Sequence, residues 1–296
     1  MREPLAIVKG IPRHVTADNY ANDFGQQWNL FPKTQLDSHS GLSITEERLA
    51  RCFRGELGGI KGKLVLEAGS GAGRFTEILL KHDATVHSFD YSNAVEANDI
   101  NNGRHPNLTL AQADIRDMPF PKGGYEYVVC LGVLQHTPSP EESIAKLWEM
   151  VKPGGRLIFD HYRYVWKFQL PPPFGSAGIV YRWLALKLPA RKRFPFIKRM
   201  VDFWFPVHWR FRDSLLAQRV IRRFSPVHFY YPDLPLKDRQ MFYEWALLDT
   251  HDSTTDYYKH LRCPEQIRAT LERLGAIDIQ VTLGGNGIEA FAVKPL

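Results

Sequence analysis

Over the first half of the chain, apolar residues come in short runs that end in acids or glycines. Leu64-Val65-Leu66 is one such run and closes on Glu67-Ala68. Gly69, Gly71 and Gly73 follow at every second position, and helical periodicity starts with Phe75, Ile78 and Leu79. The pattern predicts a strand, a tight glycine turn and a helix N-terminus. Thr85-Val86-His87-Ser88-Phe89 predicts a second strand ending in Asp90, and a third short apolar run leads to Ala113-Asp114-Ile115. Tyr125 to Leu131 reads as a fourth strand, with Gly132-Val133-Leu134-Gln135-His136 as its loop. Val151-Lys152-Pro153-Gly154-Gly155 leads into a fifth, Arg156 to Asp160. Strands alternating with helices imply a parallel sheet with helices on both faces. Ligands bind such sheets at the carboxyl ends of the strands, where all these acids fall.

The flanks are patterned differently. Residues 1–15 show no period and read as an irregular arm. Between Tyr20 and His39, aromatics and amides interleave (Phe24, Gln26, Gln27, Trp28, Phe31, Gln35), which suits a cap packed on the core or a lid over a ligand. Ser43 with Glu46 three residues on predicts a capping box for a helix from Ile44 to Leu57. After Pro171-Pro172-Pro173 three helical stripes follow: Ile179, Val180, Trp183 and Leu184; Ile197, Met200, Val201, Trp204 and Phe205; Ala217, Val220, Ile221 and Phe224. Prolines 189, 195, 206, 226, 232 and 235 separate these pieces. Residues 244–262 carry a polar cluster around Asp249-Thr250-His251-Asp252. Pro264 to Leu274 predicts a helix with proline at its first position. Ala276 to Leu283 and Ile288 to Val293 are strands joined by a Gly-Gly-Asn-Gly hairpin turn.

Some of the chemistry follows from placement. The helix N-terminus after the glycines offers unpaired N–H groups to an anion. Asp90, at a strand tip about 20 residues past the glycines, is placed to bond both hydroxyls of a ribose. Asp114 can read the amino group of an adenine.

Taken together, E-A-G-S-G-A-G (67–73), F-D-Y-S (89–92), A-D-I (113–115), V-V-C-L-G-V-L-Q-H (128–136) and V-K-P-G-G (151–155) resemble the class I S-adenosylmethionine-dependent methyltransferases, in that family's order and spacing. The resemblance covers roughly residues 62–161, and again 264–294. It implies a Rossmann-like, seven-stranded, mostly parallel α/β sheet, with a helical insertion here before the last helix and hairpin. It also implies S-adenosyl-L-methionine as cofactor. Gly69, Gly71 and Gly73 would approach its methionine part, Glu67 its ammonium and Arg74 its carboxylate. Asp90 would hold the ribose, Tyr91, Asp114 and Ile115 would flank the adenine, and the backbone at Leu131 would face the sulfur.

Composition narrows the partners. The 296 residues are 44% hydrophobic, ample for a core. Cys52, Cys130 and Cys263 are odd in number and far apart, which argues against a disulfide framework and fits a reducing cytoplasm. There is no signal-peptide pattern and no run of 18 apolar residues. The expected location is therefore cytoplasmic, or peripheral on the inner face of the membrane. Between His161 and Arg239 lie 16 Lys/Arg against 4 Asp/Glu, so this stretch holds a local +12 of a net +6, together with 18 of the 37 aromatics. The expected organisation is an arm or lid over 1–42, a core over 43–161 and 244–296, and a basic, aromatic-rich helical insertion over 162–243.

The fourth motif constrains the acceptor. Cys130-Leu131-Gly132-Val133 lacks the Asp/Asn-Pro-Pro-aromatic run of enzymes that methylate base amines, and Cys130 lacks the proline neighbour of a cytosine-methylating nucleophile. The expectation is methyl transfer to a hydroxyl of a small molecule, sugar or lipid-linked acceptor. An RNA or protein methyltransferase using the basic insertion, or a non-catalytic cofactor-binding partner subunit, remains open. Deprotonation of a hydroxyl needs a base: His136 lies at the mouth of the site, and His251 is flanked by Asp249 and Asp252. No metal is expected, since Glu141 and Glu142 read as acids at a helix N-terminus. The insertion has three readings: it shapes the acceptor pocket, lies on an anionic membrane, or grips RNA, which the fourth motif fits less well.

Overall fold

The computed structural model describes residues 2–16, 19–171 and 174–296. Among these, nine strands form one sheet: β1 (Ala6–Val8), β2 (Ile11–Arg13), β3 (Leu64–Ala68), β4 (Thr85–Asp90), β5 (Leu108–Gln112), β6 (Tyr125–Cys130), β7 (Val151–His161), β8 (Ile277–Gly284) and β9 (Gly287–Val293). Their order is β1-β2-β5-β4-β3-β6-β7-β9-β8. The sheet is parallel from β2 to β7 and antiparallel at β9, β8 and β1. Strands β3 to β9 are the seven expected. The other two are a correction, because the arm expected to be irregular is a hairpin added to the edge of β5 through one residue pair, Arg13 with Gln112. Three-residue strands are too short to show a period of two. Arg13 fastens the hairpin, donating to Gln112 Oε1 (3.2 Å) and Glu96 Oε1 (3.0 Å).

The helices are α1 (Asn22–Leu30), α2 (Asp37–Ser40), α3 (Ile44–Cys52), α4 (Arg74–Lys81), α5 (Val95–Asn102), α6 (Pro140–Met150), α7 (Ala177–Lys187), α8 (Ala190–Arg210), α9 (Leu215–Phe224), α10 (Arg239–Thr255) and α11 (Pro264–Arg273). Alternation along the central strands builds a core on each face of the sheet. Leu66, Phe89, Val128, Leu157 and Phe159 pack with Leu147, Trp148 and Leu271 on one side. Val65, Val86, Val129 and Ile158 pack with Phe75, Ile78 and Leu79 on the other. A sheet covered on both faces can expose only strand ends and loops to a ligand, and that is where the motif residues sit.

Helix α3 departs from expectation at both ends. Ser43 makes no side-chain cap. The Asp37 carboxylate instead accepts from the backbone N–H groups of Thr45 and Glu46, both at 2.9 Å. The helix stops at Cys52 because Arg54 and Gly55 take positive φ (59° and 81°).

The chain divides into two compact units, one of residues 1–37, 43–164 and 258–296, the other of 38–42 and 165–257. The expected insertion, 162–243, is thus too short. Residues 244–257 belong to the second unit, because α10 packs on α7 and α8 within it. The stretch read as a polar cluster is the C-terminal half of α10, which turns Leu247, Thr250, His251 and Thr254 inward at helical spacing.

The three stripes of the second unit fare differently. That of α8 is largely buried (Ile197, Met200, Val201, Phe205), and the helix runs through Pro195 and Pro206, which were expected to interrupt it. That of α7 faces outward, and that of α9 does so at Val220 and Phe224, with Ala217 and Ile221 half-buried. Ile179, Val180, Trp183 and Leu184 are exposed while Ala177 and Ala185 are buried. In α9 only Gln218 is buried. Pro172 and Pro173 of the expected proline break lie outside the described residues.

Candidate active site

Within the first unit the turn after β3 is held from two sides. Phe89 O accepts from the N–H groups of Gly69 (2.8 Å) and Ser70 (3.1 Å), and Gly71 N–H donates to Asp90 Oδ2 (2.9 Å). Gly73 caps α4 with φ of 86°. A Cβ there would lie 2.1 Å from Asn98 Oδ1, and one on Gly69 would lie 2.2 Å from Val133. The room these glycines provide is thus filled by neighbouring side chains. Gly71 faces Trp28 of α1, 3.1 Å from where its Cβ would be. The N-terminal segment therefore lies against the glycine turn, and Gln35 accepts a hydrogen bond from Arg74.

Glu67, at the end of β3, is buried. Its Oε2 accepts from the hydroxyls of Thr76 (2.5 Å) and Ser88 (2.7 Å), and Asn98 Nδ2 donates to Thr76 Oγ1 (2.9 Å) behind them. Its Oε1 has no hydrogen-bond partner among the described residues. Burial pushes the Glu67 carboxyl up to about 7 against the opposing effect of the two hydroxyls. A buried carboxylate oxygen without a donor is costly unless a cation or donor meets it there.

Asp90, at the end of β4, is largely committed within the protein. Oδ1 accepts from Ser92 N–H (2.8 Å) and Ser92 Oγ (2.7 Å), and Oδ2 from Gly71. This leaves Oδ2 one further lone pair for a ligand hydroxyl. The Tyr91 ring lies 4.8 Å from that of Tyr20 between centroids, tilted by 31°, and Tyr258 meets Tyr20 edge-on at 5.2 Å. Asp114 is gripped by Arg116, through the Arg116 N–H (2.8 Å) and its guanidinium (2.7 Å to Oδ2). The expected contact of Asp114 with a ring amine thus meets a carboxylate already in an ion pair. Ile115 beside it is buried, as is Leu131 after β6. Gly132 N–H donates to Asp160 Oδ1 (2.6 Å), and Arg48 holds the other oxygen of Asp160.

The 3-10 turn Leu134–His136 carries the polar groups beyond the glycine turn. His136 is buried, with Nδ1 3.1 Å from Tyr258 O and its ring against Phe24 (5.1 Å) and Tyr162 (5.3 Å). A carbonyl partner makes Nδ1 the protonated nitrogen and Nε2 the basic one. Gln135 beside it, not singled out from the sequence, is fully buried, and neither amide atom has a partner among the described residues. His161, at the end of β7, is also buried, with Nδ1 3.0 Å from Tyr162 O and Nε2 without a partner among the described residues. Its Q-H setting after the fourth strand was the only signal for Gln135.

Asp249 and His251 belong to the second unit. Two residues apart on α10, Asp249 and His251 point to different sides of the helix. Asp249 accepts from the Tyr230 hydroxyl, and the His251 ring meets Phe194 edge-on at 5.6 Å. Burial, helped by Arg193, pushes His251 down to about 4. Among the described residues no group of three His, Cys, Asp or Glu side chains could hold a metal ion.

Residues 66–159 match the model of a methyltransferase domain family. Over 102 residues the chain is 31% identical to the ubiquinone biosynthesis O-methyltransferase of Coxiella burnetii, a match covering 34% of this chain and 44% of that protein. The chain thus spans less than half the length of that relative. Its fold superposes on a proposed S-adenosyl-L-methionine-dependent methyltransferase of Methanococcus maripaludis (TM-score 0.50, 14% identity, 95% of this chain and 97% of that one). It also superposes on human N-acetylserotonin methyltransferase in complex with S-adenosylmethionine (TM-score 0.50, 13% identity, 95% and 61%). At these identities the two structures share the fold.

Proposed function

We propose, from the premise that residues 66–159 are a class I methyltransferase domain, that this chain transfers a methyl group from S-adenosyl-L-methionine to a hydroxyl oxygen of a small-molecule, sugar or lipid-linked acceptor. The observation that carries the reading is Glu67 Oε1, a buried carboxylate oxygen lacking a donor beside a glycine turn. An α-ammonium group at that atom would supply the missing donor. The backbone of the turn Gly69–Gly73, whose Cβ positions are taken up by Val133, Trp28 and Asn98, would border the methionine part, with Arg74 toward its carboxylate. Asp90 would take a ribose hydroxyl at its remaining lone pair, while Tyr91 and Ile115 would flank the adenine. The Asp114–Arg116 pair would border the ring as a unit.

Bound S-adenosylmethionine supplies an activated sulfonium methyl, so the chain's task is positioning and the removal of a proton. His136 suits the proton better than His251. Its Nδ1–H is anchored on Tyr258 O, which leaves Nε2 as the basic nitrogen. A ring held at about 4 by burial is a poor acceptor for a hydroxyl proton. Gln135, with a donor and an acceptor both unpaired, can orient a polar acceptor beside it.

The test is incubation of the purified protein with methyl-labelled S-adenosylmethionine and a fractionated cell extract, read by mass spectrometry. Label in a small-molecule or lipid fraction, slowed at least tenfold by His136→Gln with donor affinity unchanged, supports the reading. Label in RNA or protein overturns the acceptor class. Failure of the donor to bind at all overturns the cofactor assignment.

A further inference from the structure

Helix α9 (Leu-Leu-Ala-Gln-Arg-Val-Ile-Arg-Arg-Phe, 215–224) turns Gln218 inward, with Ala217 and Ile221 half-buried beside it. Its buried residue is Gln218, whose Nε2 donates to His208 O (2.9 Å) and Phe211 O (3.1 Å), while its Oε1 meets His208 Nδ1 (2.8 Å). His208 Nε2 in turn lies 2.9 Å from Ser225 Oγ. This buried network fixes the rotation of the helix about its axis. It turns out Leu215 (75% exposed), Leu216 (74%), Val220 (55%) and Phe224 (51%). Arg219, Arg222 and Arg223 are exposed with them. At 100° per residue these seven side chains fill an arc of about 200°, with the arginines and Leu215 toward one edge and Leu216, Val220 and Phe224 toward the other. The helix contains no acid. Neighbouring α7, also in the second unit, shows its own exposed apolar stripe, with Lys187 3.8 Å from the centroid of the Trp183 ring.

We infer that the outer face of α9 docks on an anionic phospholipid bilayer. Arginines along one edge and large apolar side chains along the other match the boundary between headgroups and acyl chains, where cationic stems and apolar tips are satisfied at different depths. The positive charge selects an anionic surface. Aliphatic residues, rather than flat rings, dominate the apolar edge, which suits acyl chains better than base stacking. Among the described residues no helix is long and apolar enough to cross a bilayer, so the contact is peripheral. It does not depend on methyl transfer and is read without cofactor.

The experiment is vesicle flotation of the full chain, with phosphatidylcholine alone and with phosphatidylcholine containing one quarter phosphatidylglycerol. We expect binding to the anionic vesicles only, falling at least tenfold between 0.1 and 0.5 M salt. Leu216→Ser with Val220→Ser, and separately Arg219→Gln with Arg223→Gln, should each weaken it at least tenfold. Hydrogen exchange of the unaltered chain on the same vesicles should show slowing across 215–224. Absence of binding, binding that neither variant weakens, or slowing confined to other segments would overturn the inference. So would retention of nucleic acid, or self-association through this face, without vesicle binding.

Discussion

Glu67 is ionised only against the resistance of its surroundings. Burial holds its carboxyl near 7, against an ordinary value of 4.5. Below 4.5 it is protonated folded or unfolded and contributes no pH dependence. Between 4.5 and 7 the unfolded chain loses the proton first, so stability falls as pH rises, by about 3 kcal/mol in all. A bound ammonium beside Oε1 reverses the preference by stabilising the carboxylate. S-adenosylmethionine should therefore bind with proton release below pH 7, and its affinity should drop up to tenfold per pH unit on the acid side. Calorimetry in buffers of different ionisation enthalpy measures the released proton, and Glu67→Gln should abolish it. Affinity independent of pH from 5 to 8 would remove Glu67 from the donor's ammonium. Gly73 gives a second residue-scale test. Alanine there meets both a φ of 86° and Asn98 Oδ1 at 2.1 Å, in the network that holds Glu67. We expect Gly73→Ala to cost about 2–3 kcal/mol in urea unfolding, and Gly123→Ala, whose φ is 67° but whose Cβ meets nothing, about 1 kcal/mol. Equal costs would mean that Asn98 moves aside freely.

At the scale of elements, α10 shows how a helix can escape notice. Over its C-terminal half the buried residues are Leu247, Leu248, Thr250, His251, Thr254 and Thr255, so the period is present but four of the six are polar. They are satisfied locally: Thr254 and Thr255 hydroxyls donate to Thr250 O (2.5 Å) and His251 O (2.8 Å), and Thr250 Oγ1 accepts from His228 N–H (3.1 Å). His251 makes this helix acid-sensitive. Its folded pKa of about 4 lies below the ordinary 6.5, so between those values the unfolded chain takes up a proton that the folded one refuses. Stability is fully present above 6.5 and is lost as pH falls toward 4, by about 3 kcal/mol, the opposite sign to Glu67. The exchange of α10 amides should accelerate over that range, and His251→Gln should flatten the dependence. If α10 amides in the unaltered chain exchange alike at pH 4.5 and 7 after correction for intrinsic rates, the ring is not held neutral. The stripes of α7 and α9 mislead for the converse reason. Periodicity reports that a helix has two faces, and here Gln218 and two alanines are turned fully inward while most of the two apolar stripes is exposed.

For the molecule as a whole, legibility follows the range of the interactions involved. Strand, glycine turn and acid tip lie within ten residues of one another at Glu67 and Gly73, so β3 to β7 and their order could be read directly. The grip of Arg116 on Asp114 and of Ser92 on Asp90 is equally local, but it only becomes informative once geometry shows which oxygens are taken. Trp28 against Gly71, Tyr20 on Tyr91 and the solitary Gln135 depend on contacts from distant segments or on burial, which no pattern of types reveals. The division of the chain has a similar origin. Tyr164 N–H donates to Arg262 O (2.8 Å) and Arg262 N–H to Tyr162 O (3.0 Å), so the strands leaving and re-entering the first unit are tied at its edge. An inserted unit with adjoined ends can open independently of its host. At one hundred times its dissociation constant, S-adenosylmethionine should stabilise the first unit by about 2.7 kcal/mol. Exchange of β3, β4 and β6 amides should then slow by about a hundredfold where they exchange through opening of that unit. The α10 amides should keep their rates. Equal slowing in α10 would show instead that the two units open together, and that the second unit shares the stability of the fold it interrupts.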